Sequence, residues 1–223
     1  MFKNLFEGAG TFASGIGEIF KGRFLDGLKD MGLGLAKTFV QTPLDALLLV
    51  GGRAVSAIQT LTGIEPPGRK LNDSEIAELR KIYGDSIDYS KIRIKEGKAG
   101  LFSTNDRPFT HGNTIYMKDN KITPELLAHE VGHVWQYQNG GSDYMSEAII
   151  GQNWGEGYDW EKGVKEGKSW KELNPEQQAE LMENAYSSGF FNGTGKKFMY
   201  NGTDYTSYLN DALKQVRAGQ GAP

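Results

Sequence analysis

Two histidines four residues apart, His129 and His133, constrain the fold of this chain more than any other feature of its sequence. Residues at positions i and i+4 lie on one face of an α-helix, so both imidazoles can point at a single atom. Zn²⁺ suits such a pair, because it accepts neutral imidazole nitrogens at about 2.0–2.1 Å. Glu130 lies about 100° around the helix from His129, where it can take a proton from a water at the metal. The pattern predicts the HExxH helix of a zinc metallopeptidase, with both histidines as metal ligands and Glu130 as the catalytic base.

The residues around the motif favour a buried helix over two surface histidines. Thr123-Pro124-Glu125 combines a capping hydroxyl, a proline at the first helical position and an acidic residue in the first turn. Gly140-Gly141 provides a stop. Residues 126–128 and 134–135 are uncharged. We therefore expect a helix that begins near Pro124, ends near Gly140 and is buried behind the metal site.

The composition limits the classes of protein that this chain can belong to. Its 223 residues allow one domain of ordinary size, or one domain with an appended segment, and 38% hydrophobic residues suffice for a core. The net charge of −3 gives no reason to expect a nucleic-acid partner. The absence of cysteine excludes disulfides and thiolate zinc ligands. No apolar run reaches transmembrane length, and Glu7 and Glu18 interrupt any secretory signal. We therefore expect a soluble protein with neither a transmembrane helix nor a signal peptide.

Four segments differ in composition. Residues 1–64 are rich in glycine, with apolar residues at helical spacing, which predicts two or three amphipathic helices for docking, delivery or membrane contact. The proline- and glycine-containing stretch 65–73 predicts a linker. Residues 74–217 form the predicted catalytic domain, and residues 218–223 form a predicted flexible tail.

The predicted catalytic domain combines several helices with a few short strands. Asn72 and Glu75 have capping-box spacing ahead of a helix that ends before Gly84. Strands are predicted at Ile92–Lys95 and Thr114–Met117, and the second is a candidate edge to which an extended peptide could add. Further helices are predicted at Asp143–Ile150, Pro175–Ser187 and Asp204–Val216. The expected fold class is α+β and mainly helical, with a zincin-like core that contains the HExxH helix, a second glutamate-bearing helix and a small β-sheet.

A catalytic zinc needs a third protein ligand besides the two histidines. No histidine follows the motif within residues 134–142, which leaves a carboxylate or His111. A capping asparagine and a proline predict a second helix from Pro175, on which Glu176 and Glu180 share one face. We expect Glu176 to bind zinc and Glu180 to accept the free N–H of a ligating histidine. Glu180 is the alternative third ligand.

Other polar side chains are candidates for supporting roles. His111 precedes a predicted strand and could stabilise an oxyanion or bind substrate. Tyr186 is a second candidate for the same role. Three more tyrosines are possible oxyanion donors, and two more side chains on the second helix could contact a ligating histidine: Tyr158, Tyr205, Tyr208, Glu183 and Asn184.

Three stretches of the chain together carry a family resemblance. They are Thr110-x-Gly112-Asn113-Thr114-Ile115-Tyr116, Leu127-x-His129-Glu130-x-x-His133-x-Trp135-Gln136-Tyr137-Gln138 and Pro175-Glu176-Gln177-Gln178-Ala179-Glu180. Over about residues 68–190 the chain resembles a bacterial gluzincin-type metallopeptidase domain that occurs beside Rhs-type polymorphic toxins, type VI secretion components and contractile injection systems. The resemblance implies zinc ligation by the two histidines and Glu176. It places Glu180 where the family often has an aspartate.

These observations lead to one main hypothesis and two alternatives. The main hypothesis is zinc-dependent hydrolysis of peptide bonds in a peptide or protein substrate, with one Zn²⁺ per chain and no nucleic acid. The resemblance implies a bacterial effector or toxin that is secreted or injected, with a secretion-machine component or an immunity protein as a possible partner. The alternatives are a non-enzymatic, zinc-stabilised adaptor of a secretion system and a membrane-active toxin that acts through residues 1–64.

Overall fold

The computed structural model describes residues 68–97, 108–117, 122–141 and 157–223. These residues form, in chain order, α1 (Asp73–Tyr83), a 3₁₀ turn (Tyr89–Lys91), β1 (Arg93–Glu96), β2 (Phe109–His111), β3 (Thr114–Met117), α2 (Pro124–Gly140), α3 (Trp160–Lys165), a 3₁₀ turn (Trp170–Glu172), α4 (Pro175–Ser187), β4 (Met199–Tyr200), β5 (Thr203–Asp204) and α5 (Thr206–Arg217). The α+β, mainly helical fold class is confirmed. The predicted helices within residues 1–64 and 143–150 lie outside the described residues. Of the described helices, none has the length and apolar character needed to cross a membrane.

The two helices that carry the predicted metal ligands begin where the sequence predicts. The side chain of Thr123 accepts a hydrogen bond from the backbone N–H of Leu126 at the start of α2. At the start of α4, the side chain of Asn174 accepts from the backbone N–H of Gln177, and the Gln177 side chain accepts from the backbone N–H of Asn174. These bonds satisfy N–H groups that have no partner within the helix. The first turn of each helix is therefore fixed by its own sequence.

The strand Thr114–Met117 lies in the centre of a three-stranded sheet. The strand order is β1-β3-β2, with β1 parallel and β2 antiparallel to β3. Thr110 of β2 and Ile94 of β1 both pair with Ile115. The prediction that Thr114–Met117 forms an edge is therefore wrong, because β2 occupies that side. Within the described part of the sheet, β2 is the edge strand that contacts the HExxH helix through Thr110.

Helices α2 and α4 approach each other closely at Gly132. A Cβ atom added there would lie 3.3 Å from the Cβ of Ala179 and 3.2 Å from the hydroxyl oxygen of Tyr83. The Tyr83 hydroxyl itself donates to the carbonyl of Ala128, one turn earlier on α2. Small residues permit this contact, which brings the polar faces of the two helices together.

The C-terminal helix and the segment after it pack against the same pair of helices. The indole N–H of Trp135 donates to the carbonyl of Val216 at 3.0 Å, between α2 and α5. The carbonyl of Gly221 accepts from the side-chain amide of Gln178 on α4 at 2.9 Å, and Ala222 packs against the core. These contacts hold residues 218–223, for which the sequence suggests a flexible tail, against the domain.

The last residues of the predicted linker are attached to the sheet. Arg69 forms an isolated antiparallel bridge with Ile94, beside the outer edge of β1. Its guanidinium donates to both carboxylate oxygens of Glu75 on α1, at 2.8 and 2.9 Å, and contacts Glu96 at the end of β1. Arg69 therefore ties the start of the described domain to both α1 and the sheet.

Candidate metal centre

Three side chains from α2 and α4 converge on one point. Oε2 of Glu176 lies 3.4 Å from Nε2 of His129 and 3.5 Å from Nε2 of His133. The two imidazole rings are 5.1 Å apart between centroids and inclined at 76°. Ligands placed about 2.0–2.2 Å from a tetrahedral zinc are separated by about 3.3–3.5 Å. Both distances from the carboxylate oxygen to the imidazole nitrogens therefore fall in the range expected for ligands that share a zinc ion. The structure brings Glu176, rather than Glu180 or His111, to both histidines.

The same three residues are shielded from solvent and strongly coupled. Glu176 is fully buried, and His129 and His133 are 6% and 5% exposed. Burial alone would lower the pKa of His129, but the carboxylates of Glu176 and Glu183 outweigh it and raise that pKa to about 10. Burial would also lower the pKa of His133, but the Glu176 carboxylate outweighs it, so this pKa is raised as well. The pKa of Glu176 is held well below its usual range despite burial, because both imidazoles favour its charged form.

Glu130 is held beside these ligands by the edge strand of the sheet. Its carboxylate is 4% exposed, and its Oε2 accepts a hydrogen bond from the hydroxyl of Thr110 at 2.7 Å. Burial raises the pKa of Glu130, while His129, His133 and the Thr110 hydroxyl act to lower it. A buried carboxylate with a raised pKa is suited to take and return a proton.

The second nitrogen of His129 faces two glutamates on α4. Nδ1 lies 2.9 Å from Oε2 of Glu183 and 3.7 Å from Oε2 of Glu180. The contact with Glu183 is short, but an N–H at Nδ1 does not point along it. Among the described residues, Nδ1 therefore has no well-aligned hydrogen-bond acceptor. Glu180 instead accepts from the side-chain amide of Asn184 at 2.8 Å. The structure therefore places Glu183, and not the expected Glu180, against the free nitrogen of this histidine.

The second nitrogen of His133 faces a glutamine. Nδ1 of His133 lies 2.8 Å from Oε1 of Gln136, and both residues are buried. Gln136 is three residues further along α2, so it lies on the same helix face as the histidine. The side-chain carbonyl of Gln136 can accept a hydrogen bond only from an Nδ1 that carries a hydrogen. In a neutral ring, Nε2 then has the lone pair, and this lone pair is directed toward Glu176.

The predicted supporting residues are placed differently from the ligands. His111 is buried at the end of β2, opposite Thr114. Among the described residues, ligand atoms converge in two groups, and His111 belongs to neither: His129, His133 and Glu176, and His129, Glu180 and Glu183. The hydroxyl of Tyr186 donates to Oε2 of Glu78 on α1 at 2.8 Å, and burial together with this bond raises the Tyr186 pKa to about 12. The Tyr158 ring lies 6.0 Å from the His129 ring between centroids.

Three residues that contact the centre had no specific role in the sequence-based prediction, or only a minor one. Thr110 and Gln136 lie in the stretches that carry the family resemblance, but nothing in their spacing indicates a partner. Glu183 was only one of several candidates for the histidine contact. A helical projection could have favoured it. Glu183, seven residues after Glu176, lies within about 20° of the direction of Glu176 around the helix axis, whereas Glu180, four residues after it, lies about 40° away.

Comparisons with known proteins find similarity to components of injection machines. Residues 71–141 match the family model described as the eCIS core domain. The type VI secretion system spike protein VgrG2b of Pseudomonas aeruginosa is 27% identical over 148 residues, which cover 60% of this chain and 14% of that protein. These two similarities link the chain to contractile injection and type VI secretion systems. The solved effector domain of Pseudomonas aeruginosa VgrG2b is 24% identical, with a TM-score of 0.44 over 77% of this chain and 96% of that chain.

Proposed function

We propose that this chain is a zinc-dependent peptidase whose metal is held by His129, His133 and Glu176. The observation that carries the proposal is the 3.4 and 3.5 Å spacing of the Glu176 carboxylate oxygen from the two imidazole nitrogens. The buried carboxylate of Glu130 belongs to the residue that follows His129 on the same helix. Charge supports a cation at this point. The pKa of Glu176 is held low in a buried position, so its carboxylate supplies a buried negative charge that a bound cation would balance.

The residues of the chain divide the work of hydrolysis between them. A Zn²⁺ ion held at this point would polarise the scissile carbonyl and lower the pKa of a water from 15.7 toward about 7. Glu130 takes the proton from the attacking water and passes it to the leaving amine. The Thr110 hydroxyl keeps the Glu130 carboxylate turned toward the sheet while it exchanges this proton.

We place the extended substrate along β2. The Thr110 side chain donates to the Glu130 carboxylate, so a peptide bound beside this strand would lie close to the base. This assignment replaces the expectation that Thr114–Met117 receives the substrate.

The proposed setting is an effector delivered by an injection machine. The match to the eCIS core domain and the similarity to the VgrG2b spike protein support it. Because the chain corresponds to only 14% of that spike protein, the delivery route, a secretion-machine partner and any immunity protein are part of the proposal.

A digest of a broad peptide library tests the proposed activity. We expect cleavage by the zinc-loaded chain, loss of cleavage with a chelator, and restoration when zinc is returned. The Glu130→Gln variant should bind zinc like the wild type but lose at least about a thousandfold in rate, because the proton acceptor is gone. Cleavage that persists in that variant would contradict the proposed mechanism. Stoichiometric zinc binding without any cleavage would instead favour the adaptor function, in which zinc only stabilises the fold.

A further inference from the structure

Two buried glutamines connect His133 to the main chain on the far side of the metal centre. The amide nitrogen of Gln178 donates to the carbonyls of Trp170 at 3.0 Å and Gly221 at 2.9 Å. Backbone carbonyls only accept hydrogen bonds, so both amide hydrogens of Gln178 must point at them. Its side-chain oxygen is therefore turned toward Gln136, whose amide nitrogen lies 3.1 Å away.

The orientation of Gln136 follows from that of Gln178. The amide nitrogen of Gln136 donates to the Gln178 oxygen and to the carbonyl of Pro175 at 2.9 Å. A flipped amide would place its oxygen against two acceptors, so the Gln136 oxygen must face His133. Nδ1 of His133 then has to be the N–H nitrogen, and in the neutral ring Nε2 carries the lone pair that faces Glu176.

We infer that Gln136 and Gln178 form a relay that positions His133 for metal binding. The inference rests on the proposed zinc site. Both glutamines are 1% exposed, so water does not compete for their hydrogen bonds. The relay fixes both the tautomer and the ring direction of one ligand before metal binds. Such outer hydrogen bonds are worth about 10- to 100-fold in metal affinity.

The rival explanation is that the glutamines only satisfy buried polar groups of the core. Gln177 provides a matched control, because it lies next to Gln178 on α4 and is fully buried. Its side-chain oxygen accepts from the backbone N–H of Asn174 at 3.1 Å, and its amide donates to the carbonyl of Asp159 at 2.9 Å. Its replacement therefore removes buried hydrogen bonds at the helix start and not in the relay.

The test compares three methionine variants of the full chain, since methionine has nearly the shape of glutamine without its hydrogen bonds. Zinc affinity is measured by competition with a chromogenic chelator, and the ligand-field spectrum of the Co²⁺-loaded chain reports the geometry of the ligands. We expect Gln136→Met to lose about 10- to 100-fold in zinc affinity and to change the Co²⁺ spectrum. Gln178→Met should lose severalfold, and Gln177→Met should match the wild type in both measurements.

Two outcomes would overturn the inference. The first is a zinc affinity of Gln136→Met equal to that of Gln177→Met, whether both are unchanged or both are lowered. If Gln136→Met does not fold, Gln178→Met decides, and an affinity equal to that of Gln177→Met is the second such outcome. A wild-type chain that binds neither zinc nor cobalt would overturn the proposed function itself, so the two failures are distinguishable.

Discussion

Replacement of Glu183 by glutamine tests which carboxylate supports His129. Glu183 lies 2.9 Å from Nδ1 of His129, whereas Glu180 lies 3.7 Å away, beyond hydrogen-bond range, and their side chains are equally exposed. A hydrogen bond to a charged group contributes about 1.5–3 kcal/mol, and a neutral acceptor retains about half of it. Glu183→Gln should therefore cost about 1 kcal/mol of zinc-binding free energy, or about fivefold in affinity, because the alignment is poor and the site is partly exposed.

The matched variant Glu180→Gln has the same exposure and keeps an acceptor for Asn184. It should change zinc affinity by less than about twofold, within the range of ordinary surface substitutions. Competition with a chelator at fixed pH and ionic strength measures both variants. A larger loss for Glu180→Gln than for Glu183→Gln would refute the reasoning and restore the role that the sequence alone suggested for Glu180.

Three further perturbations have expected outcomes. Because the pKa of His129 is raised to about 10, its ring is the charged imidazolium in the metal-free chain at neutral pH. Zinc must displace that proton, so zinc affinity should rise at least about tenfold per pH unit between pH 6 and 8. A zinc affinity that does not change with pH in this range would contradict the prediction. Thr110→Val removes the hydrogen bond to the Glu130 carboxylate, so it should lower the peptidase rate about tenfold and leave zinc affinity unchanged. Thr110→Ser keeps the hydroxyl and should restore the rate, which kinetics on a cleaved peptide would measure. Gly132→Ala should lower the free energy of unfolding in urea by about 1–3 kcal/mol, since the added methyl crowds Ala179, and unchanged stability would argue against the close helix contact.

Local sequence signals predicted the helices that carry the ligands. The capping residues Thr123 and Asn174, each followed by proline, act within a few residues of the helix start, so no tertiary information is needed to find them. The spacing of His129 and His133 predicted that they share one helix face, and the structure brings both to Glu176. These features follow from helix geometry alone.

Features that depend on how elements pack could not be predicted in the same way. Strand β2 has three residues, Phe109–His111, too few for an alternating pattern, so its pairing with Thr114–Met117 was missed. A helical projection favours Glu183 over Glu180 by only about 20°, and the choice also depends on how α4 is rotated against α2. The relay through Gln136 joins groups that are 39 and 42 residues apart in the chain. Glutamine at that position has no spacing rule that would indicate its partners.

Metal analysis combined with a crystal structure of the zinc-loaded chain tests the central claim most directly. The account predicts one zinc ion per chain, located by its anomalous scattering and bound by Nε2 of His129, Nε2 of His133 and a carboxylate oxygen of Glu176 at about 2.0–2.2 Å. It also predicts that Glu176→Ala lowers the metal content well below that of the wild type. Zinc located away from these three atoms, or undiminished zinc in that variant, would contradict the account.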